Sequence, residues 1–219
     1  MAIIFDVNET LLDFGALDRY FGDRFESGHG RVEWFLTLQS AWMAQTLTGQ
    51  FTPFITLALG ALRQVAARHD IVLSHTHQDG LVERLMTLPA HGDVIPALQW
   101  LKDHGQQVVA LTNGGAEAVE QQLSHAGLRP FFDRVLSVEA VKAYKPAPAV
   151  YAYAIEQVGE AVDQITMIAA HDWDLIGAAQ AGMQTGFIAR PGKAVDDEGF
   201  QPDYQSADLL KLVQQVIAV

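Results

Sequence analysis

Apolar residues fall along this chain in distinct rhythms. Ala2 to Phe5 form a short unbroken apolar run that stops on Asp6, the pattern of a buried parallel strand with a polar residue at its C-terminal end. From residue 14 to residue 87 no strand-like run occurs. Leu17, Phe21 and Phe25 recur at every fourth position, as do Trp34, Leu38 and Trp42, and Leu57, Ala61, Leu62, Val65 and Ala66 make a further stripe. Spacings of three and four residues place side chains on one face of a helix, so this stretch reads as a helical block.

After Pro89 the rhythm changes to strand then helix, repeated. A helix is predicted over 94–104 and a strand over 107–111, followed by a helix over 116–126, a strand over 134–138 and a helix over 147–158. A strand over 165–169, a helix over 174–181, a strand over 185–189 and a helix over 207–219 complete the series. Gly105, Gly127, Gly159 and Gly182 stand where these helices should stop. Such alternation predicts an α/β fold with a Rossmann-like, doubly wound parallel sheet, whose ligand crevice lies beyond the C-terminal strand ends near a topological switch point. The expected organisation is a core of residues 1–13 and 88–219 with a helical cap, residues 14–87, inserted after the first strand and placed to act as a lid.

Composition narrows the chemistry. The 219 residues carry 14 Lys+Arg against 26 Asp+Glu, a formal net charge of −12, and no cysteine. Disulfides, thiolate metal sites and a cysteine nucleophile are thereby excluded. An acidic chain without a basic cluster repels phosphate backbones and anionic lipid headgroups, so neither nucleic acid nor membrane is an expected partner. The start of the chain lacks a basic, apolar signal segment, and the cytoplasm is the expected location.

Polar residues collect at the predicted strand ends. Asp6 follows the first strand, where a carboxylate can be held for attack while turn N–H groups stabilise developing charge; equally, Asp6 with Glu9 three residues on fits a helix N-cap and capping box. Thr112 and Asn113 precede Gly114 in a turn able to bind an anion. Lys145 is followed by Pro146 at a helix head, a rigid setting for a charge. His171, Asp172 and Asp174 close the strand over 165–169, with Asp174 also fitting a cap for a helix starting at Leu175. Four segments thus converge on one crevice.

The segments around Asp6, Thr112-Asn113, Lys145 and Ala169–Asp174 have the order and spacing of the four motifs of the haloacid dehalogenase superfamily, and the chain resembles most closely its type II 2-haloacid dehalogenases. That resemblance implies hydrolysis of a small 2-haloalkanoic acid to a 2-hydroxy acid through an ester on Asp6, without metal or other cofactor, in a homodimer. It implies that Thr10 orients Asp6, that Thr112 and Asn113 bind substrate and halide, and that Lys145 holds the aspartate. It also matches Tyr151 to a functional tyrosine, Phe54 and Trp173 to an apolar pocket, and Asp174 to the acid that pairs with the lysine.

The superfamily's phosphatases carry an acid two residues after the nucleophile and a Gly-Asp pair before the final aspartate, its Asp a Mg²⁺ ligand. Here those positions are Asn8, Ala169 and Ala170. Asn8 has no proton to give a leaving alcohol, whereas halide needs none. The dehalogenase pattern is itself departed from. Phe35 stands where a cap arginine is expected, Asn8 replaces a tyrosine, Ala169 a serine and His171 an asparagine. Either the substrate anion then rests on backbone N–H groups near Asn8 with Thr112 and a repositioned Arg31, or the physiological substrate is not an ordinary 2-haloacid; His171 would bind the anion or activate water. Alternative readings are a Mg²⁺-dependent phosphohydrolase of the same fold and a catalytically weak protein that binds small acids. The remaining histidines, His75 and His77 among them, read as surface groups, and Trp34, Phe35 and Trp42 fit a pocket wall, internal packing or a dimer seam.

Overall fold

The computed structural model describes residues 1–23, 25 and 30–218. Six strands form one parallel sheet: β1 (Ala2–Phe5), β2 (Gln107–Thr112), β3 (Arg134–Ser137), β4 (Ile165–Ala169), β5 (Gln184–Ile188) and β6 (Tyr204–Ser206), in the order β3-β2-β1-β4-β5-β6. Every pairing is parallel. All residues of β1 and β4 are buried, as both-face coverage by helices requires. Burying each of their Ile side chains stabilises the fold by about 1.5–3 kcal/mol.

Between β1 and β2 the described residues hold helices and no strand: α1 (Asp18–Gly22), α2 (Gly30–Leu47), α3 (Phe54–Arg68), α4 (His75–Met86) and α5 (Val94–Asp103). Trp34, Leu38 and Trp42 of α2 and Ala61, Leu62, Val65 and Ala66 of α3 are buried, so the periodic stripes face inward. The stripe through Leu17, Phe21 and Phe25 is buried too, although α1 ends before Phe25. Because Trp34, Phe35 and Trp42 are all enclosed by their own chain, they do not form an exposed dimer seam.

Beyond β2 the chain alternates through α6 (Ala116–His125), α7 (Pro148–Val158), α8 (Asp172–Gln180) and α9 (Leu209–Ile217). Gly159 closes α7 with φ 76°, a left-handed conformation that glycine adopts without strain. Predicted boundaries hold to within two residues. β6 was not predicted, because Tyr-Gln-Ser has no apolar run and sits at the sheet edge. His75 is exposed, while His77 accepts from Ser74 N and completes a cap of α4. Val219, the end of the last predicted helix, lies outside the described residues. Among the described residues no helix is long and apolar enough to cross a membrane.

Candidate active site

The order of the strands reverses direction between β1 and β4, and the ends of β1, β2 and β4 carry the polar residues. Phe5 pairs with Ile168, and Asp6 N donates to Ile168 O (3.0 Å), so the nucleophile position stays tied to the β4 edge. No helix follows Asp6. Leu11 N and Leu12 N both donate to Val7 O, and Glu9 takes a left-handed φ of 63°, so the capping box that Asp6 and Glu9 permit is not formed. A non-glycine residue held there is strained, a condition typical of sites whose surroundings fix it. Arg190, buried, donates to Thr10 O and to both oxygens of Asp93, which clamps this turn onto the start of α5.

Asp6 is almost fully enclosed and accepts from two sides. Thr10 Oγ1 donates to Oδ2 at 2.7 Å and accepts from Ala170 N at 3.0 Å, a hydroxyl bridge between the β1 and β4 turns. Lys145 Nζ donates to Asp6 Oδ1 (2.8 Å), Asp174 Oδ2 (2.6 Å) and Leu111 O (3.0 Å), which uses all three of its protons. Tyr151 donates to Asp174 Oδ1 at 2.6 Å. Its ring lies against Gly177, where an added Cβ would come within 2.6 Å of the phenol carbons, so glycine is required for this approach of α7 and α8. Asp174 is thus the third residue of α8 and not its cap; His171 holds the N-cap position, and the helix starts two residues earlier than its sequence predicts.

Burial raises the Asp6 carboxyl, but the Lys145 ammonium and His171 outweigh it, and Asp6 lies below the usual carboxylate range. For Lys145 burial works against the charge, yet Asp174 and Asp6 hold it protonated above its ordinary value. Burial raises Asp174 beyond what Lys145 offsets, with Asp6 adding to the rise. Tyr151 is pushed well above its ordinary value by burial and by Asp174, so it remains a donor.

His171 stands at the other side of Asp6, its Nδ1 3.5 Å from Oδ2 and its Nε2 2.9 Å from Glu9 Oε2. Phe35 stacks on its ring (5.7 Å between centroids, 17° between planes), and Trp173 lies on it at 5.1 Å. Trp42, in contact with Phe35, Phe54 and Trp173, completes an aromatic wall. Asn113 Oδ1 accepts from Lys145 N (2.8 Å), and Thr112 Oγ1 from Gly114 N (3.0 Å). Asn8 Oδ1, Asn113 Nδ2 and His171 Nδ1 are buried without a hydrogen-bond partner, which a folded chain tolerates mainly where a ligand or water completes the bonding. A cavity of about 80 Å³ borders Asn8, Phe54 and Gly114, and one of about 240 Å³ lies beyond Glu9 among Arg31, Arg190 and Lys193.

Two charged residues here were not foreseen as site residues. Glu9 also accepts from Lys193 Nζ (2.7 Å) and lies 3.5 Å from Arg31. Arg31, expected on the substrate anion, pairs with Asp18 and Glu9 in this structure. A divalent cation does not fit this donor set. Lys145 fills the gap between Asp6 and Asp174, Ala169 and Ala170 offer no side-chain oxygen, and exposed Asp172 turns its carboxylate to Trp173 N.

The sequence pattern of the haloacid dehalogenase-like hydrolases matches residues 1–182. This chain belongs to that family. Among haloacid dehalogenase-like hydrolases it is 29% identical to an (S)-2-haloacid dehalogenase of Pseudomonas sp. (strain YL) over 216 residues, 97% of this chain and 92% of the relative. Haloacetate dehalogenase H-2 of Moraxella sp. (strain B) is 28% identical, covering 100% and 98%. The crystal structure of the L-2-haloacid dehalogenase RSc1362 superposes with a TM-score of 0.93 at 30% identity, covering 99% and 98%.

Proposed function

We propose that this haloacid dehalogenase-like hydrolase converts small 2-haloalkanoic acids to 2-hydroxy acids through an ester on Asp6, with no metal. The observation that carries this reading is the setting of Asp6. It is an ionised carboxylate fixed by Thr10 and Lys145 next to Asn8, a residue with no proton for a leaving alcohol, in a donor set that does not suit Mg²⁺. Such a group can displace halide, which leaves without a general acid, but is poorly equipped for phosphoryl transfer.

In the first step Asp6 Oδ2 attacks the carbon bearing the halogen, the C–O bond forms as the C–halogen bond breaks, and halide leaves on the opposite side. Asn113 Nδ2, free of protein partners, and the Thr112 hydroxyl receive the anionic groups, and Phe35, Phe54 and Trp173 exclude water from the reacting carbon. In the second step water attacks Asp6 Cγ. Lys145 at Oδ1 stabilises the oxyanion there, and Asp174, held by Tyr151, keeps the ammonium aimed. The helical block over 14–87 acts in this reading as the cap that supplies Phe35 and Phe54.

A single turnover of chloroacetate in ¹⁸O-labelled water tests the pathway. The product's new oxygen comes from Asp6 and is expected to be unlabelled, with label entering the protein; label in the first-turnover product would sink the ester route. Halide release is expected to persist in EDTA. We also propose a homodimer, supported by Val32 and Leu36 of α2, which are 45% and 56% exposed. Sedimentation at twice the 24.0 kDa chain mass is the expected result, and a monomer at micromolar concentration would refute it.

A further inference from the structure

Hydrolysis of the ester requires a base, and most candidates at the site are already committed. Lys145 has given its three protons to Asp6, Asp174 and Leu111. Asp174 accepts from Lys145 on one oxygen and Tyr151 on the other. Thr10 donates to Asp6 and accepts from Ala170. Among these groups His171 keeps a buried nitrogen, Nδ1, that has no hydrogen-bond partner and lies 3.5 Å from the reacting carboxylate.

The opposite nitrogen of that ring is fixed. Nε2 is 2.9 Å from Glu9 Oε2, and Glu9 is itself anchored by Lys193. Phe35 and Trp173 clasp the ring. Once the ring is neutral, a buried carboxylate on one nitrogen holds the imidazole in the tautomer with its proton on Nε2 and leaves the Nδ1 lone pair for a reactant. We infer that Glu9 and His171 form a dyad in which His171 Nδ1 is the base of ester hydrolysis and Glu9 is its positioning residue. This inference rests on the ester pathway proposed above.

The proton and bond changes balance. Water gives a proton to His171 Nδ1 as its oxygen bonds to Asp6 Cγ. The tetrahedral adduct collapses, the bond from Cγ to the substrate oxygen breaks, and the leaving alkoxide takes the proton from His171. Asp6 returns as a carboxylate with one oxygen from water, and the remaining proton passes to solvent.

The same cluster times the base. In the free enzyme burial opposes protonation of His171, but Asp6 and Glu9 more than compensate and hold it protonated above its ordinary value. Alkylation turns Asp6 into a neutral ester and removes one of those two anions, so His171 sheds its proton after the first step, when a base is needed. The other charges facing the ring are Lys193, 3.3 Å from Nε2, and Arg31 across Glu9; Lys145 and Asp174 act through Asp6.

The test uses the full-length enzyme with chloroacetate. For His171→Gln the expected result is a burst of one chloride per site, a carboxymethyl group on Asp6 seen by intact-protein mass spectrometry, and ester hydrolysis slowed at least about 10²-fold. The acid limb of the ester hydrolysis rate is expected at lower pH in Glu9→Gln, which removes an anion from the ring, and at higher pH in Lys193→Met, which removes a cation. Unimpaired turnover in His171→Gln, or loss of the chloride burst itself, overturns the dyad while leaving the ester pathway intact. If His171→Gln does not fold, the two pH limbs decide, and limbs that stay in place in both variants overturn it. No chloride from the wild-type enzyme overturns the ester pathway and the dyad together.

Discussion

Asp6→Asn is expected to reduce halide release from chloroacetate by at least about 10⁴-fold, because it removes the attacking group. The side chain keeps its shape and still accepts from Lys145 or Thr10, so the fold should survive. A second readout separates this from unfolding. Burial raises the Asp6 carboxyl but Lys145 and His171 pull it lower, so its folded value lies below the ordinary 3.8. A depressed carboxylate contributes stability that is fully present above its unfolded value and is lost as pH falls below 3.8 toward the folded value. Acid unfolding followed by circular dichroism should therefore be less steep for Asp6→Asn than for the wild type over that range. Retained halide release in a variant whose sequence is confirmed would refute Asp6 as nucleophile.

Much of the framework was legible because its determinants are local. β1, β2 and β4 announce themselves as mostly apolar runs that lead to Asp6, Thr112 and His171, and apart from half-buried Gln107 their residues are buried as in parallel strands. What stayed hidden depended on neighbours distant in sequence. Asp174 reads as a helix cap until Lys145 and Tyr151 are brought against it from α7 and the loop before it. Glu9 reads as half of a capping box, and only the adjacency of β1 and β4 shows it meeting His171, 162 positions away. Lys193 belongs to no motif; it reaches Glu9 because β5 lies beside β4 and its loop folds back over the crevice. The signal that would have exposed this group is two acids in the turn after one strand and a histidine in the same turn of a neighbouring strand.

That group also bears on how an acidic chain admits an anionic substrate. Phe35 gives the site no positive charge from α2, and Arg31 is spent on Asp18 and Glu9. Lys193 sits 5.2 Å above the Phe35 ring, so a core loop places a cation on the face where the helix offers only an aromatic. Positive charge is therefore present at the crevice, but each cation is tied to a carboxylate, and the local field depends on the whole network more than on one residue.

Lys145 carries the largest structural consequence of that dependence. It is fully buried between Asp6 and Asp174, and Lys145→Met would leave two enclosed carboxylates without their cation. Breaking one partner out of a buried ion cluster costs about 3–5 kcal/mol, so a marked fall in melting temperature at neutral pH is expected. Activity should be lost as well, since without the ammonium burial drives the Asp6 carboxyl upward and a protonated carboxyl does not attack. The pH dependence is the sharper check. In the wild type the depressed Asp6 carries stability that is lost only as pH falls below its unfolded value of 3.8, while the raised Asp174 contributes with the opposite sign. In Lys145→Met both carboxyls take folded values above their unfolded ones, so their contribution is fully present below the unfolded value and is lost as pH rises through the folded value. Chemical denaturation between pH 4 and 8 should show the variant gaining more stability toward acid than the wild type, since the ammonium that lowers both carboxyls is gone. Adding Asp174→Asn removes one of the stranded charges and should recover part of the stability with no recovery of halide release. A Lys145→Met protein as stable as the wild type at neutral pH, with an unchanged slope, would refute the ammonium as the charge that holds the two buried carboxylates.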